Sequence, residues 1–216
     1  RLSLVGSEMC IRDSNNNIME NDELLGAASC TTNAIVPTLK VLNDEFDIQS
    51  GHIESVHSYT NDQNLIDNFH KKVRRGRSAA LNMVITETGA GKAVGQVLPE
   101  LKGKLTANAV RVPTPNVSLA IINLRFAKDI TLEELNDFLR QNAFHSDLKE
   151  QIGFTNSPEV VSTDFVGDRH AGIIDSAATI VNGNKCVLYV WYDNEFGYTA
   201  QLLGLAKEMV GLTYQR

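Results

Sequence analysis

The sequence predicts an α+β domain in which helices cover a mixed, largely antiparallel sheet. Two observations support this prediction. Strand-like segments follow one another around residues 113–116 and 182–184 with only a short turn between them, which favours antiparallel pairing. Segments with the apolar spacing of helices lie before, between and after those strands, as in domains whose helices pack on one sheet. At 216 residues the chain is long enough to bury a core.

The first predicted helix begins at about Thr31. Its apolar residues recur at spacings of four, three and four, as on one face of a helix: Ile35, Leu39, Leu42 and Phe46. Pro37 falls in the second turn, where few backbone donors are committed, so it disturbs the helix little. Gly51 is expected to end the following connection. A strand is predicted over residues 53–60, with Ser55 and His57 on one face.

A long polar and basic stretch, residues 61–78, shows little periodicity. A loop of this length within a compact domain is usually functional or disordered. A short strand is predicted over residues 81–86, and a second helix begins after the run Thr88-Gly89-Ala90-Gly91. That helix carries four apolar residues: Val94, Val97, Leu98 and Leu101.

Two further strands are predicted over residues 105–112 and 117–126. The prolines between them cannot donate to a central ladder, so they mark a turn. Thr131 and Glu134 form a capping box that opens a third helix. Four residues of that helix are expected to face inward: Leu132, Leu135, Phe138 and Leu139.

A hairpin is predicted from residues 176–181 and 185–192, because Asn182-Gly183-Asn184 between them is a strong turn signal. The chain closes with a predicted helix from about Gly197. Its apolar side is expected to contain Leu202, Leu205, Ala206 and Met209. No Gly-x-Gly-x-x-Gly follows a predicted strand, so a dinucleotide-binding half is expected to be missing from this sequence.

Charge and composition argue against two classes of partner. The chain has 20 Lys and Arg against 26 Asp and Glu, a formal charge of −6, which does not suit a nucleic-acid backbone. No apolar run approaches the roughly 18 residues of a membrane span, so no membrane partner is expected. The cysteines, Cys10, Cys30 and Cys186, lack metal-ligand spacing and indicate neither a disulfide framework nor a metal site. They suit a reducing cytoplasm.

Residues 1–14 are predicted to be a non-native leader. Their charges interrupt any apolar region of the kind that a signal peptide needs. They resemble sequencing-adapter DNA translated in frame with a truncated gene. The natural sequence is therefore expected to begin near Asn15, and Cys10 is expected to have no function.

Cys30 is the strongest candidate for chemistry. It lies immediately before the first predicted helix, where unpaired backbone N–H groups and the helix dipole stabilise a thiolate. His57 follows inside a predicted strand. Nucleophilic thiols act with a group that moves protons. We therefore predict Cys30 as a nucleophile and His57 as its acid–base partner.

Six motifs occur in order along the chain, and together they resemble the catalytic domain of the phosphorylating glyceraldehyde-3-phosphate dehydrogenase family. They are Ser29-Cys30-Thr31-Thr32-Asn33, His57-Ser58-Tyr59-Thr60, Arg74-Arg75-Gly76-Arg77, Thr88-Gly89-Ala90, Arg111-Val112-Pro113-Thr114-Pro115-Asn116-Val117-Ser118 and Trp191-Tyr192-Asp193-Asn194-Glu195. The resemblance covers about residues 15–216. It implies that residues 15–29 end a NAD-binding Rossmann domain that is otherwise missing here, and that residues 30–216, including the C-terminal helix, form the catalytic domain. It also implies a cytoplasmic enzyme of glycolysis, a homotetramer when full length, with NAD or NADP as cofactor.

The resemblance further implies a reaction. Cys30 would attack the aldehyde of glyceraldehyde 3-phosphate, and His57 would lower the thiol pKa as an ion pair and then move protons. Oxidation would leave a thioester, which inorganic phosphate would convert to 1,3-bisphosphoglycerate.

By the same resemblance, three groups of residues would hold the reactants. Thr60 and Arg111 would bind the phosphate of the substrate. Asn194 would bind the nicotinamide carboxamide, and Tyr198 would either brace that site or pack the last helix. The attacking inorganic phosphate would be bound by Ser29, Thr31, Arg75, Thr88 and Gly89.

Several alternatives stay open. Asn68-Phe69 stands where many NAD-dependent members have Leu-Pro, so the resemblance does not decide between NAD and NADP. Erythrose-4-phosphate dehydrogenase shares several motifs, although Thr88-Gly89-Ala90 favours the three-carbon substrate. A hydrolytic Cys–His enzyme is a further alternative, against which the lack of a distinct orienting Asn or Asp motif weighs. The last is a non-catalytic assembly module, since the chain without a nucleotide domain is expected to be inactive alone.

Overall fold

The computed structural model describes residues 8–9 and 25–209 of the chain. The strands in this part are β1 (Glu8–Met9), β2 (Leu25–Gly26), β3 (Ile48–Ser58), β4 (Val84–Thr86), β5 (Leu105–Val112), β6 (Ser118–Phe126), β7 (Ile152–Thr155), β8 (Gly172–Asp175), β9 (Ile180–Asn182) and β10 (Lys185–Tyr192). The helices are α1 (Cys30–Phe46), α2 (Ala90–Val97), α3 (Leu132–His145) and α4 (Phe196–Met209), with 3₁₀ turns at Val73–Gly76, Pro99–Leu101 and Ser162–Phe165. The predicted leader (1–14) and domain remnant (15–29) lie largely outside the described residues.

One mixed sheet contains eight of these strands, in the order β4-β5-β3-β6-β10-β8-β7 with β9 paired to β10. Five of its strand pairs are antiparallel, and two, β3–β5 and β7–β8, are parallel. Helices pack against the sheet over a shared apolar core. The predicted α+β class with a mixed, largely antiparallel sheet is therefore confirmed. β1 and β2 form a separate two-residue parallel pair.

Strands β5 and β6 flank the proline turn but do not pair with each other. β3 lies between them, so that Val56 is opposite Val110 on one side and Leu119 on the other. The connection therefore steps over one strand. As a result the ends of β3 and β5 lie side by side, with His57 opposite Arg111.

The core positions of α1 agree with its apolar spacing, because Ile35, Leu39 and Leu42 are completely buried. The start of β3 differs from the prediction. The strand begins at Ile48 and contains Gly51, where a Cβ atom would lie only 2.7 Å from the carbonyl oxygen of Asn123. The close approach of the neighbouring backbone, and not a turn, therefore requires glycine at position 51.

The apolar stripes of the later helices are narrower than predicted. In α3 the capping box of Thr131 forms, and Leu135 and Leu139 are completely buried, but Leu132 in the first turn is 44% exposed. In α4 Leu205 is buried while Leu202 is exposed. Helical spacing predicts which residues share one face of a helix. It does not predict at which residue that face stops contacting the core.

None of the helices in the described part of the chain is long and apolar enough to span a membrane. In the same part, no group of His, Cys, Asp and Glu side chains is arranged to hold a metal ion.

Candidate active site

The N-terminus of α1 presents Cys30 as the first helical residue. Ser29 is the N-cap, and its hydroxyl accepts a hydrogen bond from the Thr32 backbone N–H at 3.1 Å. The Asn33 amide donates to the Ser29 carbonyl at 2.9 Å and so fixes the preceding segment. Ala28 has a φ of 57°, in the left-handed region that L-residues other than Asn and Asp seldom adopt. The chain therefore turns sharply into the helix directly before the thiol.

His57 faces Cys30 from the end of β3. Its Nε2 atom lies 3.5 Å from the Sγ atom of Cys30, within direct hydrogen-bonding reach of a thiol. Its Nδ1 atom lies 2.7 Å from the carbonyl oxygen of Ser58. Because a carbonyl oxygen can only accept, this shorter contact favours a hydrogen on Nδ1 of the neutral ring, although Arg111 Nη1, a donor, lies 3.1 Å from the same atom. Nε2 is then a bare acceptor directed at the sulfur.

Burial sets the protonation of this pair. Burial, together with the neighbouring charge of Arg111, lowers the pKa of His57 to about 4. Burial also raises the pKa of the Cys30 thiol above its ordinary value, although hydrogen bonds from Thr31 and the charge of Arg111 partly oppose this. Burial therefore disfavours the charged form of each group. Burial opposes the expected ion pair, which stays a prediction, and the contact between Nε2 and Sγ also suits a neutral imidazole that accepts the thiol proton during attack.

A cavity of about 940 Å³ opens onto the thiol. Nine of the eleven predicted site residues line it: Ser29, Cys30, Thr31, His57, Arg75, Thr88, Gly89, Arg111 and Tyr198. Thr60 and Asn194 are not among the lining residues. Thr60 contacts a lining residue, because its hydroxyl accepts a hydrogen bond from Arg111 Nη1 at 2.9 Å.

The charge of the cavity is positive. Four cationic side chains line it: Lys72, Arg75, Lys92 and Arg111. Glu87 is the single carboxylate among the lining residues. The N-terminus of α2 also opens here, where Gly89 is the N-cap and the Thr88 hydroxyl accepts from the Ala90 N–H at 3.2 Å. Helix N-termini and arginine forks together suit anionic groups such as phosphate.

The two arginine side chains are themselves largely buried, at 9% and 13% exposure. Arg75 Nε donates to the Thr86 hydroxyl at 2.9 Å, and Arg75 Nη1 pairs with the carboxylate of Asp62. Arg111 Nε is buried without a hydrogen-bond partner among the described residues. Burial opposes ionisation of Asp62, but the Thr60 hydroxyl and the two arginines outweigh it and lower the pKa of that carboxyl.

Asn194 is fixed by two serines. Its Oδ1 atom accepts hydrogen bonds from the hydroxyls of Ser58 and Ser118, each at 2.8 Å. Ser118 Oγ also accepts from the Ser58 N–H at 3.1 Å, so its own hydrogen is directed to Asn194. The Nδ2 group of Asn194 has no hydrogen-bond partner within residues 25–209. The side-chain amide is thus fixed through its oxygen and retains Nδ2 as a hydrogen-bond donor.

Three residues that sequence reasoning did not place in the site also belong to it. The Tyr192 hydroxyl lies 2.9 Å from that of Thr31 and 2.8 Å from that of Ser55. The Tyr192 ring meets the His57 ring edge-on, with 5.9 Å between centroids. Asp62, described above, had one signal in the sequence, an acidic residue just after Thr60 at the start of a basic loop. Tyr192 lies in one of the six motifs and Ser55 was expected on the same strand face as His57, but their mutual contact was not foreseen, since these partners are far apart in sequence.

Comparison with known proteins gives two findings. Residues 29–194 match the family model described as glyceraldehyde 3-phosphate dehydrogenase, C-terminal domain. The chain is 65% identical over 192 residues to a glyceraldehyde-3-phosphate dehydrogenase-like protein of Pseudomonas aeruginosa strain UCBPP-PA14, an alignment that covers 89% of this chain and 42% of that protein.

Two further relatives are named glyceraldehyde-3-phosphate dehydrogenase. The protein of Priestia megaterium is 47% identical over 188 residues, covering 87% of this chain and 56% of the relative. Glyceraldehyde-3-phosphate dehydrogenase 1 of Bacillus subtilis is 47% identical over 187 residues, covering 86% and 55%. The chain spans about half the length of the curated relatives that it matches.

Proposed function

Because the chain belongs to the glyceraldehyde-3-phosphate dehydrogenase family, through its C-terminal domain, we propose that it supplies the catalytic site for oxidising glyceraldehyde 3-phosphate to 1,3-bisphosphoglycerate with NAD(P). One observation supports this most strongly: Cys30 Sγ and His57 Nε2 lie 3.5 Å apart beside a cationic cavity. A thiol, a base and two anion-binding helix termini are the groups that phosphorylating aldehyde oxidation needs.

In the first step Cys30 Sγ attacks the aldehyde carbon. The carbon–sulfur bond forms while the thiol proton passes to His57 Nε2, the bare acceptor of the ring. The carbonyl oxygen then takes a proton from the imidazolium, which gives a neutral thiohemiacetal. The N–H group of Cys30, at the start of α1, would stabilise the oxygen as negative charge develops on it.

In the second stage His57 accepts the hydroxyl proton of the thiohemiacetal, which becomes a thioester. NAD(P), when bound, would supply the hydride acceptor for this oxidation. Asn194 would hold its carboxamide through Nδ2, and Tyr198, which lines the cavity, would brace the site. The choice between NAD and NADP is not decided by these residues.

In the last stage an oxygen of inorganic phosphate attacks the thioester carbonyl. The carbon–sulfur bond breaks, the acyl phosphate leaves, and Cys30 recovers its proton from His57. Thr60 and Arg111, which are hydrogen-bonded to each other, would hold the phosphate already on the substrate. The attacking phosphate would lie across the cavity, between the helix termini and Arg75: Ser29, Thr31, Arg75, Thr88 and Gly89.

The organisation and setting of the whole protein form part of the same proposal. Residues 30–216 would be the catalytic domain, residues 15–29 the end of a nucleotide-binding domain, and residues 1–14 a leader of no function. The full-length enzyme would act in glycolysis in the cytoplasm as a homotetramer. The family membership supports this setting, and the cationic cavity supports the phosphorylated substrate.

The acyl-transfer half-reaction tests the proposal with this chain alone, because it needs no hydride acceptor. 1,3-Bisphosphoglycerate is added to the protein, and intact-mass and peptide mass spectrometry follow the acyl group. We expect one 3-phosphoglyceryl group on Cys30, with release of one phosphate ion, and discharge of that group when inorganic phosphate is added. Cys30→Ser should not be acylated, whereas Cys186→Ser should behave as the original chain does.

The alternatives give different results. Discharge of the acyl group by water at the same rate without phosphate would indicate a hydrolase. Better protection of Cys30 from alkylation by erythrose 4-phosphate than by glyceraldehyde 3-phosphate would favour the four-carbon substrate. Absence of acylation at Cys30 in a folded chain would favour a non-catalytic module.

A further inference from the structure

One carboxylate, that of Asp62, engages the groups that are proposed to hold phosphate. Its Oδ2 atom pairs with Arg75 Nη1. Its Oδ1 atom accepts a hydrogen bond from the Thr60 hydroxyl at 2.6 Å and lies 3.9 Å from Arg111 Nη2. Thr60 and Arg111 are assigned above to the substrate phosphate and Arg75 to the attacking phosphate. Asp62 therefore touches both anion sites at once.

The arginines do not depend on Asp62 for their positions. Arg75 Nε is bonded to Thr86, and Arg111 Nη1 donates to the carbonyl oxygen of Ser58 at 3.1 Å. Their side chains are only 9% and 13% exposed, whereas that of Asp62 is 49% exposed. The two cations are thus anchored in the wall, while the carboxylate approaches them from the solvent side. When it moves away, it frees the Nη1 group of Arg75 and the hydroxyl of Thr60 for another anion.

We propose that Asp62 is a competing internal anion, whose carboxylate occupies guanidinium donors that a phosphate group would otherwise take and moves aside when phosphate binds. This inference rests on the proposed function and concerns the affinity of its phosphate sites. A phosphate dianion must displace a carboxylate that is already paired and bring its own charge close to it, so its affinity is reduced. Weak binding suits a site that must release an acyl phosphate after each turnover.

If Asp62 instead had a scaffolding role, removing its charge would change the phosphate affinity in the opposite direction. If Asp62 served to hold Arg75 and Arg111 in place, removal of its charge would loosen them and weaken phosphate binding. If it competes, removal would strengthen binding. The direction of the change therefore separates the two roles.

The experiment measures inorganic phosphate binding in Asp62→Asn. The amide keeps an oxygen that can accept from Thr60 and Arg75 but removes the charge. Phosphate affinity is obtained from the protection of Cys30 against iodoacetamide as phosphate is titrated, at constant ionic strength set with chloride. Asp67→Asn is the matched control, because Asp67 pairs with Arg77 on the same loop and both side chains are exposed.

We expect Asp62→Asn to lower the dissociation constant for phosphate by about tenfold, or ~1.4 kcal/mol, and Asp67→Asn to leave it within about twofold. Asp62→Ala, which also removes the acceptor oxygen, should change it in the same direction as Asp62→Asn. Weaker or unchanged binding in variants with an unaltered unfolding midpoint would overturn the inference. Lack of phosphate protection in the unmodified chain and the variants alike would instead count against the proposed phosphate sites themselves.

Discussion

The hydroxyl of Tyr192, at the end of β10, lies 2.9 Å from the hydroxyl of Thr31, in the first turn of α1. The same Tyr192 oxygen lies 2.8 Å from Ser55 Oγ on β3. All three residues are buried. This link connects the N-terminus of α1 to two central strands of the sheet, and the Tyr192 ring lies against that of His57.

Tyr192→Phe tests the strength of this link. The substitution keeps the ring but leaves the hydroxyls of Thr31 and Ser55 without their shared partner in a buried place. We expect the free energy of unfolding to fall by about 1–3 kcal/mol, measured by urea denaturation. Tyr189→Phe, on the other face of β10, is the matched control and should change it by less than about 0.5 kcal/mol. Equal effects at both tyrosines would contradict the structural role.

The two thiols of the described residues should differ in reactivity. Cys186 is 3% exposed, and burial raises its pKa to about 12, while Cys30 lines the cavity beside a base. In a Cys10→Ser background at pH 8, we expect iodoacetamide to label Cys30 at least about tenfold faster than Cys186. His57→Ala should slow labelling of Cys30 because the bare Nε2 acceptor is lost. Similar rates at Cys30 and Cys186 would remove the case for an activated nucleophile.

His57 should make stability depend on pH. The pKa of His57 is about 4 in the folded chain, against the ordinary value of 6.5 that applies to the unfolded chain. Below pH 6.5 the unfolded chain therefore binds a proton that the folded chain does not. Stability is therefore complete above pH 6.5 and is lost as pH falls towards 4, by about 3 kcal/mol in total. His57→Asn should lack this loss. Urea denaturation between pH 7 and pH 4 measures the free energy of unfolding of both proteins. The same pH dependence of that free energy in the original chain and in His57→Asn would refute the prediction.

Two serines next to Asn194 should contribute unequally. Ser118 Oγ accepts from the Ser58 N–H and donates to Asn194, whereas the Ser58 hydroxyl donates to Asn194 and lies a longer 3.5 Å from Ser118 Oγ. Ser118→Ala leaves a buried N–H unpaired and should cost about 1–3 kcal/mol of stability, and Ser58→Ala about 1 kcal/mol or less. Calorimetry gives the order, and NMR of the Asn194 side-chain amide should show greater mobility in Ser118→Ala. The reverse order would show that the amide is held in another way.

Local features of the chain could be predicted from sequence alone. The start of α1, predicted at about Thr31 and observed at Cys30, and its buried face follow from short-range apolar spacing. The opposite is true of β8, where all four residues are buried. A strand buried on both faces shows no alternation of polar and apolar residues, so sequence reasoning missed it.

Long-range features could not be predicted in the same way. The turn at residues 113–116 was located correctly, but the insertion of β3 between β5 and β6 depends on pairing across the whole sheet. The position of Cys30 at a helix N-terminus was also correct, but the burial by distant residues that raises its pKa leaves no signal in the local sequence. Asp62 was missed because its partners, Arg75 and Arg111, lie on other segments.

The bond from Thr31 to Tyr192 spans 161 positions of the sequence. During synthesis, the environment of the Cys30 thiol therefore cannot be complete until almost all of β10 has left the ribosome. Sheets closed by such distant pairings form slowly. We expect the Cys30 thiol to react like that of an ordinary cysteine during synthesis, until β10 pairs with the rest of the sheet.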